Sequence, residues 1–323
     1  MSESLPKVVV IGGGTGCPAV LRGLRHHAVD LTAIVTTMDS GGSSGKLRQE
    51  FNVPAVGDIR RALVALADDD AGRALGELTE YRFKGESSLG GHALGNLTLL
   101  ALLLEHGGLE AAVERLGKML GVRGTVLPVT SDCVDLCALL KDGKTLVGEA
   151  SIDQRGHSPV GVERVYLSGP ASANARAVDA LREADVIVLG PGDLYTSVIP
   201  NFLVDGIAGA IQASDAKRIF VGNLVTKPGE TEGYKLSDFL NEVLRYSGLT
   251  DWLDAVIVDS GHDSGVPRAG ELFAGNPLVV TDDDACQELA GHILRRDVAM
   301  TESPWMHDPA HTANAIMEVV TQQ

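Results

Sequence analysis

Residues 8–16 read Val-Val-Val-Ile-Gly-Gly-Gly-Thr-Gly, an apolar run that ends abruptly in glycines. β-Branched residues pack well in a parallel strand covered on both faces, so the run predicts a buried strand. Residues 19–24 follow with apolar positions at helical spacing. A strand, a glycine turn and a helix amino terminus form an anion site, because free N–H groups meet the positive end of the helix dipole. The stretch therefore predicts phosphate contacts at Gly12, Gly13, Gly14, Thr15 and Gly16.

The glycine spacing departs from the two best-known nucleotide-binding templates. The dinucleotide fingerprint G-x-G-x-x-G fails because Cys17 stands at its third glycine. Residues 41–46 resemble the end of a P-loop, but Leu47 stands where Ser or Thr would hold magnesium. NAD-dependent redox chemistry is therefore disfavoured. Tight packing of the strand against the helix, without a ligand, stays open as an alternative interpretation of the glycines.

Composition excludes several classes of partner. The chain has 323 residues and a net charge of −16, which argues against nucleic acid and anionic membrane surfaces. No segment reaches the roughly 18 apolar residues of a membrane helix, so no membrane insertion is expected. The amino terminus lacks a signal pattern, and the four cysteines include no C-x-x-C pair. These features predict reduced thiols and a cytoplasmic protein.

Strand and helix patterns alternate along most of the chain. Apolar runs at 30–37, 184–189, 217–222 and 253–258 predict strands, separated by helical patterns. This alternation predicts an α/β fold with a doubly wound, mainly parallel, Rossmann-like sheet. We expect one domain over residues 1–323 with an inserted helical and hairpin subregion at about 71–170. The expected helices are 172–183, 200–213 and 236–246, and the expected hairpin turns at Asp142-Gly143.

The segment 38–57 is expected to be a long irregular loop of functional importance, with Asp58 capping the helix that follows. Ligands of open α/β sheets bind at the carboxyl ends of the strands. The predicted strands end in loops at 12–16, 37–39, 190–197 and 223–226, which should therefore line one rim.

Several residues near this rim are candidates for chemistry. Asp39 stands where a carboxylate would meet a ribose hydroxyl or a metal ion such as Mg²⁺, and it is the best candidate for a catalytic residue. Capping of its neighbouring backbone is the alternative. Ser43, Ser44, Lys46 and Arg48 are donors suited to phosphate, although a solvated loop would use the same residue types.

Further candidates lie on the helices and on a later strand end. Arg60 in a first helical turn opposes the dipole, which favours a nearby anion. Gly95 beside Asn96 costs about 1 kcal/mol relative to alanine in a helix, which implies close approach of a ligand or another helix. His92 is a candidate acid or base, with a structural role as the alternative. Asn223 is interpreted as a base or sugar contact, with turn capping as the alternative.

Taken in order, these segments resemble the YvcK-type gluconeogenesis factor family. The resemblance begins with Ile11–Gly16 and continues through the loop Asp39–Arg48. Further matches lie at residues 57–60, 91–96, 190–197 and 228–231. The chain departs from the family where Ser40 replaces a second aspartate and where Asp193 replaces a serine. The first departure weakens a two-carboxylate metal site.

The resemblance implies membership of the superfamily of CofD-like 2-phospho-L-lactate transferases, with a Rossmann-like core. Its transferase branch moves a phospholactyl group onto a deazaflavin precursor at a metal-assisted site. The YvcK-type branch is associated with binding UDP-sugars such as UDP-N-acetylglucosamine, with cell shape and with growth on gluconeogenic carbon.

Two functions follow as hypotheses. The first is a cytoplasmic regulator that binds a nucleotide-sugar and is linked to carbon metabolism, the cell envelope and cell shape. The second is a Mg²⁺-dependent transferase of a phosphoryl-linked group, with Asp39 as the metal ligand. Enzymatic turnover and the oligomeric state, including a homo-oligomer, stay open. The residues expected to contact the ligand are Gly12, Gly13, Gly14, Thr15, Gly16, Asp39, Gly41, Gly42, Ser43, Ser44, Lys46, Arg48, Asp58, Arg60, His92, Asn96, Gly190, Gly192, Asp193, Tyr195, Thr196, Ser197 and Asn223.

Overall fold

The computed structural model describes residues 4–249, 253–261 and 277–321. Within these ranges the chain forms a parallel sheet and a smaller antiparallel sheet, both flanked by helices. The strands are β1 (Lys7–Gly12), β2 (Asp30–Val35), β3 (Thr125–Pro128), β4 (Leu136–Leu140), β5 (Thr145–Val147), β6 (Val162–Leu167), β7 (Val186–Leu189), β8 (Lys217–Val221), β9 (Ala255–Asp259) and β10 (Ile293–Arg296).

The helices occupy both faces of the larger sheet. They are α1 (Gly16–Leu24), α2 (Gly42–Phe51), α3 (Gly57–Leu66), α4 (Asp70–Glu80), α5 (Leu94–His106), α6 (Leu109–Met119), α7 (Glu149–Asp153), α8 (Ala175–Arg182), α9 (Ile199–Phe202), α10 (Ile207–Gln212), α11 (Leu236–Ser247), α12 (Asp283–Gln287) and α13 (Pro309–Thr321). A single π-helical turn, Leu194–Val198, immediately precedes α9.

The seven-stranded sheet has the order β10-β9-β8-β7-β1-β2-β3, and every neighbouring pair in it is parallel. The chain builds outward from β1 to β2 and β3, and then returns to place β7 on the other side of β1. This reversal is the switch point at which doubly wound sheets bind their ligands. The predicted doubly wound, mainly parallel Rossmann-like sheet is confirmed.

The alternation of side chains along β1 explains why both faces are apolar. Val8 and Val10 join the core formed with α1, α3, α6 and α13, whereas Val9 and Ile11 join the core formed with α8, α9, α10 and α11. Successive strand residues point to opposite faces, so a strand buried on both sides must be apolar throughout. That requirement is met by the run Val8–Ile11.

The smaller sheet has the order β5-β4-β6 and is antiparallel. Its first two strands form the predicted hairpin, turning at Gly143 with a φ of +84°. The sheet lies between β3 and β7 in the chain and is followed, after β5, by the short helix α7. β3, in contrast, pairs with β2 in the larger sheet.

Two predictions for the segment after β2 are wrong. The segment 38–57 is not an irregular loop throughout, since it contains α2. The pattern hid this helix because its buried side includes serine and glycine: a Cβ at Gly45 would lie 2.0 Å from the Ser40 carbonyl oxygen. Asp58 does not cap α3, because that helix begins one residue earlier, at Gly57, with Val56 at the cap.

The helix predicted over 200–213 is two helices. It breaks between α9 and α10, where Gly206 takes a φ of +101° that a helix cannot continue through. Among the described residues, no helix is both long enough and apolar enough to span a membrane.

Candidate functional site

A cleft of about 330 Å³ lies at the switch point. Its walls come from the loops after β1, β2 and β7, from the first turns of α2 and α3, and from α7. The lining residues that the structure describes are Gly14, Thr15, Asp39, Gly41, Gly42, Ser43, Ser44, Gly57, Asp58, Arg60, Arg61, Arg82, Asn96, Glu149, Asp153, Gln154, Asp193, Thr196 and Ser197. Many of the residues predicted from the sequence are therefore brought together at one place.

The glycine turn after β1 serves mainly to pack two loops together. A Cβ at Gly16 would lie 2.5 Å from the Pro191 carbonyl oxygen, and one at Gly13 would lie 2.5 Å from Thr36 Cγ2. Gly14 has a φ of +62°, and its N–H donates to Asp58 Oδ2 at 3.0 Å. Tight packing thus accounts for Gly13 and Gly16, while Gly14 and Thr15 face the cleft.

A second helix amino terminus also faces the cleft, that of α2. Gly42, Ser43 and Ser44, its first three residues, all line the cavity. No side chain caps this end, and the space beside Gly42 is open. The first turn of a helix has N–H groups without partners inside the helix and carries the positive end of the dipole. This end of α2 is therefore suited to an anion.

A buried hydrogen-bond network supports this turn of α2. Ser43 Oγ accepts from the Ala93 N–H at 3.3 Å and from Asn96 Nδ2 at 3.1 Å, and it lies 3.2 Å from His92 Nδ1. A hydroxyl that accepts twice has its proton left for a third partner, which makes His92 Nδ1 the acceptor. Arg60 Nε in turn donates to Asn96 Oδ1 at 3.1 Å. His92 and Asn96 thus hold α2 in place.

One wall of the cleft, which we call the arginine wall, consists of Asp39, Asp58, Arg61 and Glu149. Arg61 forms an ion pair with Asp58 Oδ1. Burial lowers the pKa of Arg61, but Asp58 first, and then the charges of Asp39 and Glu149, raise it above its ordinary value. Burial and next the charge of Asp58 raise the pKa of Asp39, although the Gly41 N–H donates to it at 2.8 Å. Burial and next the charge of Asp39 raise the pKa of Glu149 to about 8. The wall therefore holds more negative charge than it compensates.

A second group, the lysine wall, consists of Asp153 and Asp193, which line the cleft, together with Lys227 and Glu230, which contact the lining residues but are not part of the lining. Lys227 Nζ lies 2.7 Å from Asp153 Oδ1 and 3.1 Å from Asp193 Oδ2. Glu230 is fully buried and accepts from Thr196 Oγ1 at 3.1 Å. Burial and next the charge of Asp193 raise the pKa of Glu230 well above its usual range. Ligand atoms of Asp153, Asp193 and Glu230 all lie within 4.8 Å of one another, but Lys227 already provides a cation there.

Other predicted residues do not line this cleft. Arg48 Nη2 donates to the Val134 carbonyl oxygen at 2.7 Å and pairs with Asp135, and Lys46 Nζ donates to the Gly90 carbonyl oxygen at 3.2 Å. Asn223 Nδ2 donates to the Gly192 carbonyl oxygen at 2.8 Å. Gly12, His92, Gly190, Gly192 and Tyr195 also lie outside the lining, and the Tyr195 hydroxyl lies 2.8 Å from that of Tyr234 in the core.

Several residues of both walls were not predicted from the sequence. Glu149, Asp153 and Gln154 come from the segment after the hairpin, for which strand-end reasoning gave no signal. Lys227 and Glu230 follow β8, whose carboxyl end was expected at the rim, so extending that loop would have found them. Arg82 comes from the stretch between α4 and α5.

The fold and the cleft define a doubly wound α/β protein of the Rossmann-like class with a ligand cleft at its switch point. The sequence profile of the family described as "2-phospho-L-lactate transferase CofD" matches residues 8–299. A "Gluconeogenesis factor" of Bacillus subtilis is 36% identical over 98% of this chain and 99% of its own length. The "Gluconeogenesis factor" of Halalkalibacterium halodurans is 38% identical over 96% of this chain and 95% of its own length.

A crystal structure of a Bacillus halodurans protein is also similar, with a TM-score of 0.89 and 36% identity over 97% of this chain and 99% of that one. This chain belongs to the CofD family and, within it, to the YvcK-type gluconeogenesis factors.

Proposed function

We propose that the protein binds a nucleotide-sugar at the switch-point cleft and acts as a regulator of carbon metabolism. The observation that carries the proposal is the amino end of α2, which faces the cleft without a side-chain cap. Together with the arginines beside it, this end would hold the diphosphate. The relatives named gluconeogenesis factors support the regulatory role. The four free thiols agree with the cytoplasmic setting that we propose for it.

The charge of the residues that line the cleft affects whether a diphosphate would bind alone or together with a metal ion. Of the described lining residues, five are carboxylates and three are arginines, so the formal charge of the lining is negative. Asp39 and Glu149 offer carboxylate oxygens, which are the ligand atoms that Mg²⁺ prefers. Burial first and the charge of neighbouring carboxylates next raise the pKa values of both groups, and a divalent cation would relieve the repulsion between the carboxylates. These residues fit a Mg²⁺ ion, and we propose that the ligand binds as its magnesium complex.

The same carboxylates favour a second candidate function, a Mg²⁺-dependent transfer of a phosphoryl-linked group. Such a transfer depends mainly on positioning and charge neutralisation and needs no dedicated nucleophile. In this case Asp39 would hold the metal, and Arg61 would face the phosphoryl group. The two candidates differ in whether Mg²⁺ is required for turnover or only for affinity.

Calorimetric titration of UDP-N-acetylglucosamine, with and without Mg²⁺, tests the proposal. Arg82 and Lys46 provide a matched pair, because each donates at 3.2 Å to a carbonyl of the 90–91 turn, yet only Arg82 lines the cleft. Arg82→Ala should weaken binding about tenfold, which is about 1.4 kcal/mol. Lys46→Ala should change it less than about twofold. The proposal fails if the wild-type protein binds neither UDP nor UDP-N-acetylglucosamine at millimolar concentration.

Asp39→Asn separates the two candidates. If the protein is a binding regulator, the variant loses the Mg²⁺-dependent part of its affinity and nothing else. If the protein is a transferase, UDP-N-acetylglucosamine or another activated donor is consumed by the wild type in the presence of Mg²⁺, and Asp39→Asn abolishes that consumption. Phosphorus NMR of the incubated ligand measures the difference.

A further inference from the structure

The lysine wall has features that the binding of a diphosphate does not use. Residues 149–158, which we call the strap, cross from one side of the cleft to the other. At one end the Ala150 N–H donates to Ser40 Oγ at 2.9 Å, next to the loop after β2. At the other end Arg155 Nη1 donates to the Gly229 carbonyl oxygen at 2.8 Å, and the Ser158 N–H donates to Glu232 at 3.1 Å. The strap thus brings Asp153 and Gln154 to the cleft from outside the parallel sheet.

The carboxylates of this wall are held in place and partly neutralised. Lys227 Nζ contacts one oxygen of Asp153 and one oxygen of Asp193. Both carboxylates line the cleft, so each retains acceptor capacity toward it. A group that only accepts hydrogen bonds selects ligands that donate them. An ionised phosphate only accepts hydrogen bonds and cannot pair with these carboxylates, whereas sugar hydroxyls are suitable donors.

An independent observation points to a ligand at the same place. Ser197 is 6% exposed and lines the cleft, and its main-chain groups are paired: its N–H donates to Asp193 and its carbonyl oxygen accepts from Asn201. Among the described residues its hydroxyl has no hydrogen-bond partner. Polar groups of buried residues are nearly always paired with protein or water, so a hydroxyl that opens on a cavity is available to a polar ligand atom.

The lining also limits what else could lie there. None of the described residues that line the cleft is aromatic, so this part of it offers no stacking surface for a nucleobase. A polyhydroxylated ring suits this lining better, because its hydroxyls can form hydrogen bonds with the groups present. These groups are the carboxylates of Asp153 and Asp193, the amide of Gln154 and the hydroxyl of Ser197.

We propose that the strap and the turn after β7 form a sugar-reading subsite, in which Asp153, Asp193, Gln154 and Ser197 recognise the hydroxyls of the ligand's hexose. Lys227 is a positioning residue that fixes the two carboxylates. The inference rests on the proposed function and makes it more specific: the protein discriminates the glycosylated ligand from the bare nucleoside diphosphate by this wall.

The experiment compares the affinities of UDP-N-acetylglucosamine and UDP, both with Mg²⁺, by calorimetry. The wild type should bind the sugar-bearing ligand at least about tenfold more tightly than UDP. Asp153→Asn, Gln154→Ala and Ser197→Ala should each reduce that ratio several-fold and leave the affinity for UDP within about twofold. Gln154 is exposed at the cleft, so its substitution leaves the core intact.

Glu163→Gln is the matched control, since it makes the same kind of carboxylate-to-amide change at an exposed position of β6, outside the cleft and the strap. It should leave the ratio unchanged. The subsite is overturned if Glu163→Gln lowers the ratio as much as Asp153→Asn does, or if the variants weaken UDP equally. It is also overturned, with the proposed function intact, if the wild type binds the two ligands with equal affinity. Binding of neither ligand overturns both.

Discussion

The two walls of the cleft contain similar groups but differ in how their charges are balanced. In the lysine wall, Lys227 lies within 3.1 Å of two carboxylates. In the arginine wall, the ion pair of Arg61 is with Asp58, and the pKa values of Asp39 and Glu149 are raised by burial first and by neighbouring carboxylates next. Each wall has three carboxylates and one cation, but Lys227 contacts two of its carboxylates, whereas Arg61 pairs with Asp58 alone. The paired Asp153 and Asp193 can therefore accept hydrogen bonds from hydroxyls, whereas Asp39 and Glu149, which form no ion pair among the described residues, favour a proton or a metal ion.

The largest expected effect comes from removing the cation of the lysine wall. Lys227→Met leaves Asp153 and Asp193 without their counter-ion beside the buried Glu230, whose own carboxyl then faces more uncompensated charge. Breaking such a partly buried pair should lower the free energy of unfolding by about 2–4 kcal/mol. Urea denaturation at pH 7 measures it.

Lys7→Met is the control for this variant. Lys7 pairs with Glu183 at 2.6 Å, but both side chains are largely exposed, at 45% and 64%. Water screens an exposed pair, so Lys7→Met should lose clearly less stability than Lys227→Met. Equal losses for the two variants would contradict a stabilising role for the ion pairs of Lys227 with Asp153 and Asp193.

The arginine wall should respond in the opposite direction. The pKa of Glu149 rises from an ordinary value of 4.5 to about 8 in the folded protein, so the folded state binds this proton more tightly than the unfolded state. Stability from this group is therefore complete below about pH 4.5 and is lost as the pH rises toward 8. Glu149→Gln removes the charge and keeps an acceptor for the Ser40 N–H. The variant should be more stable than the wild type by about 1–3 kcal/mol at pH 8.

Thermal unfolding at pH 5 and pH 8 measures this difference, which should shrink at the lower pH. Glu50→Gln, at an exposed position of α2, is the control and should give the same difference at both pH values. If the difference in melting temperature between the wild type and Glu149→Gln is the same at both pH values, Glu149 does not carry an uncompensated charge that destabilises the folded protein at pH 8.

The contrast between the walls also explains what the sequence could predict. The run Val8–Ile11 specifies a doubly buried strand, and the rule that ligands bind at the carboxyl ends of parallel strands then places Gly14, Asp39, Asp193 and Ser197 at one rim. The strap residues could not be predicted, because no periodicity of the chain says where an inserted hairpin returns. Helix α2 was not predicted, because helical patterns are recognised from the spacing of apolar residues, whereas Gly45, Ser43 and Ser44 are buried in this helix.

The smallest effects on stability are expected for two serines that line the cleft, Ser43 and Ser197. Ser43→Ala removes a hydroxyl with three neighbours, leaving Asn96 Nδ2 and the Ala93 N–H without their buried acceptor. The loss should be about 1–2 kcal/mol of unfolding free energy. Ser197→Ala removes a hydroxyl with no partner among the described residues, so its effect on stability should be below about 0.5 kcal/mol. Parallel urea titrations of the two variants measure the contrast. A loss at Ser197 as large as that at Ser43 would mean that its hydroxyl stabilises the fold, and the sugar-reading subsite would then have one fewer group for a sugar.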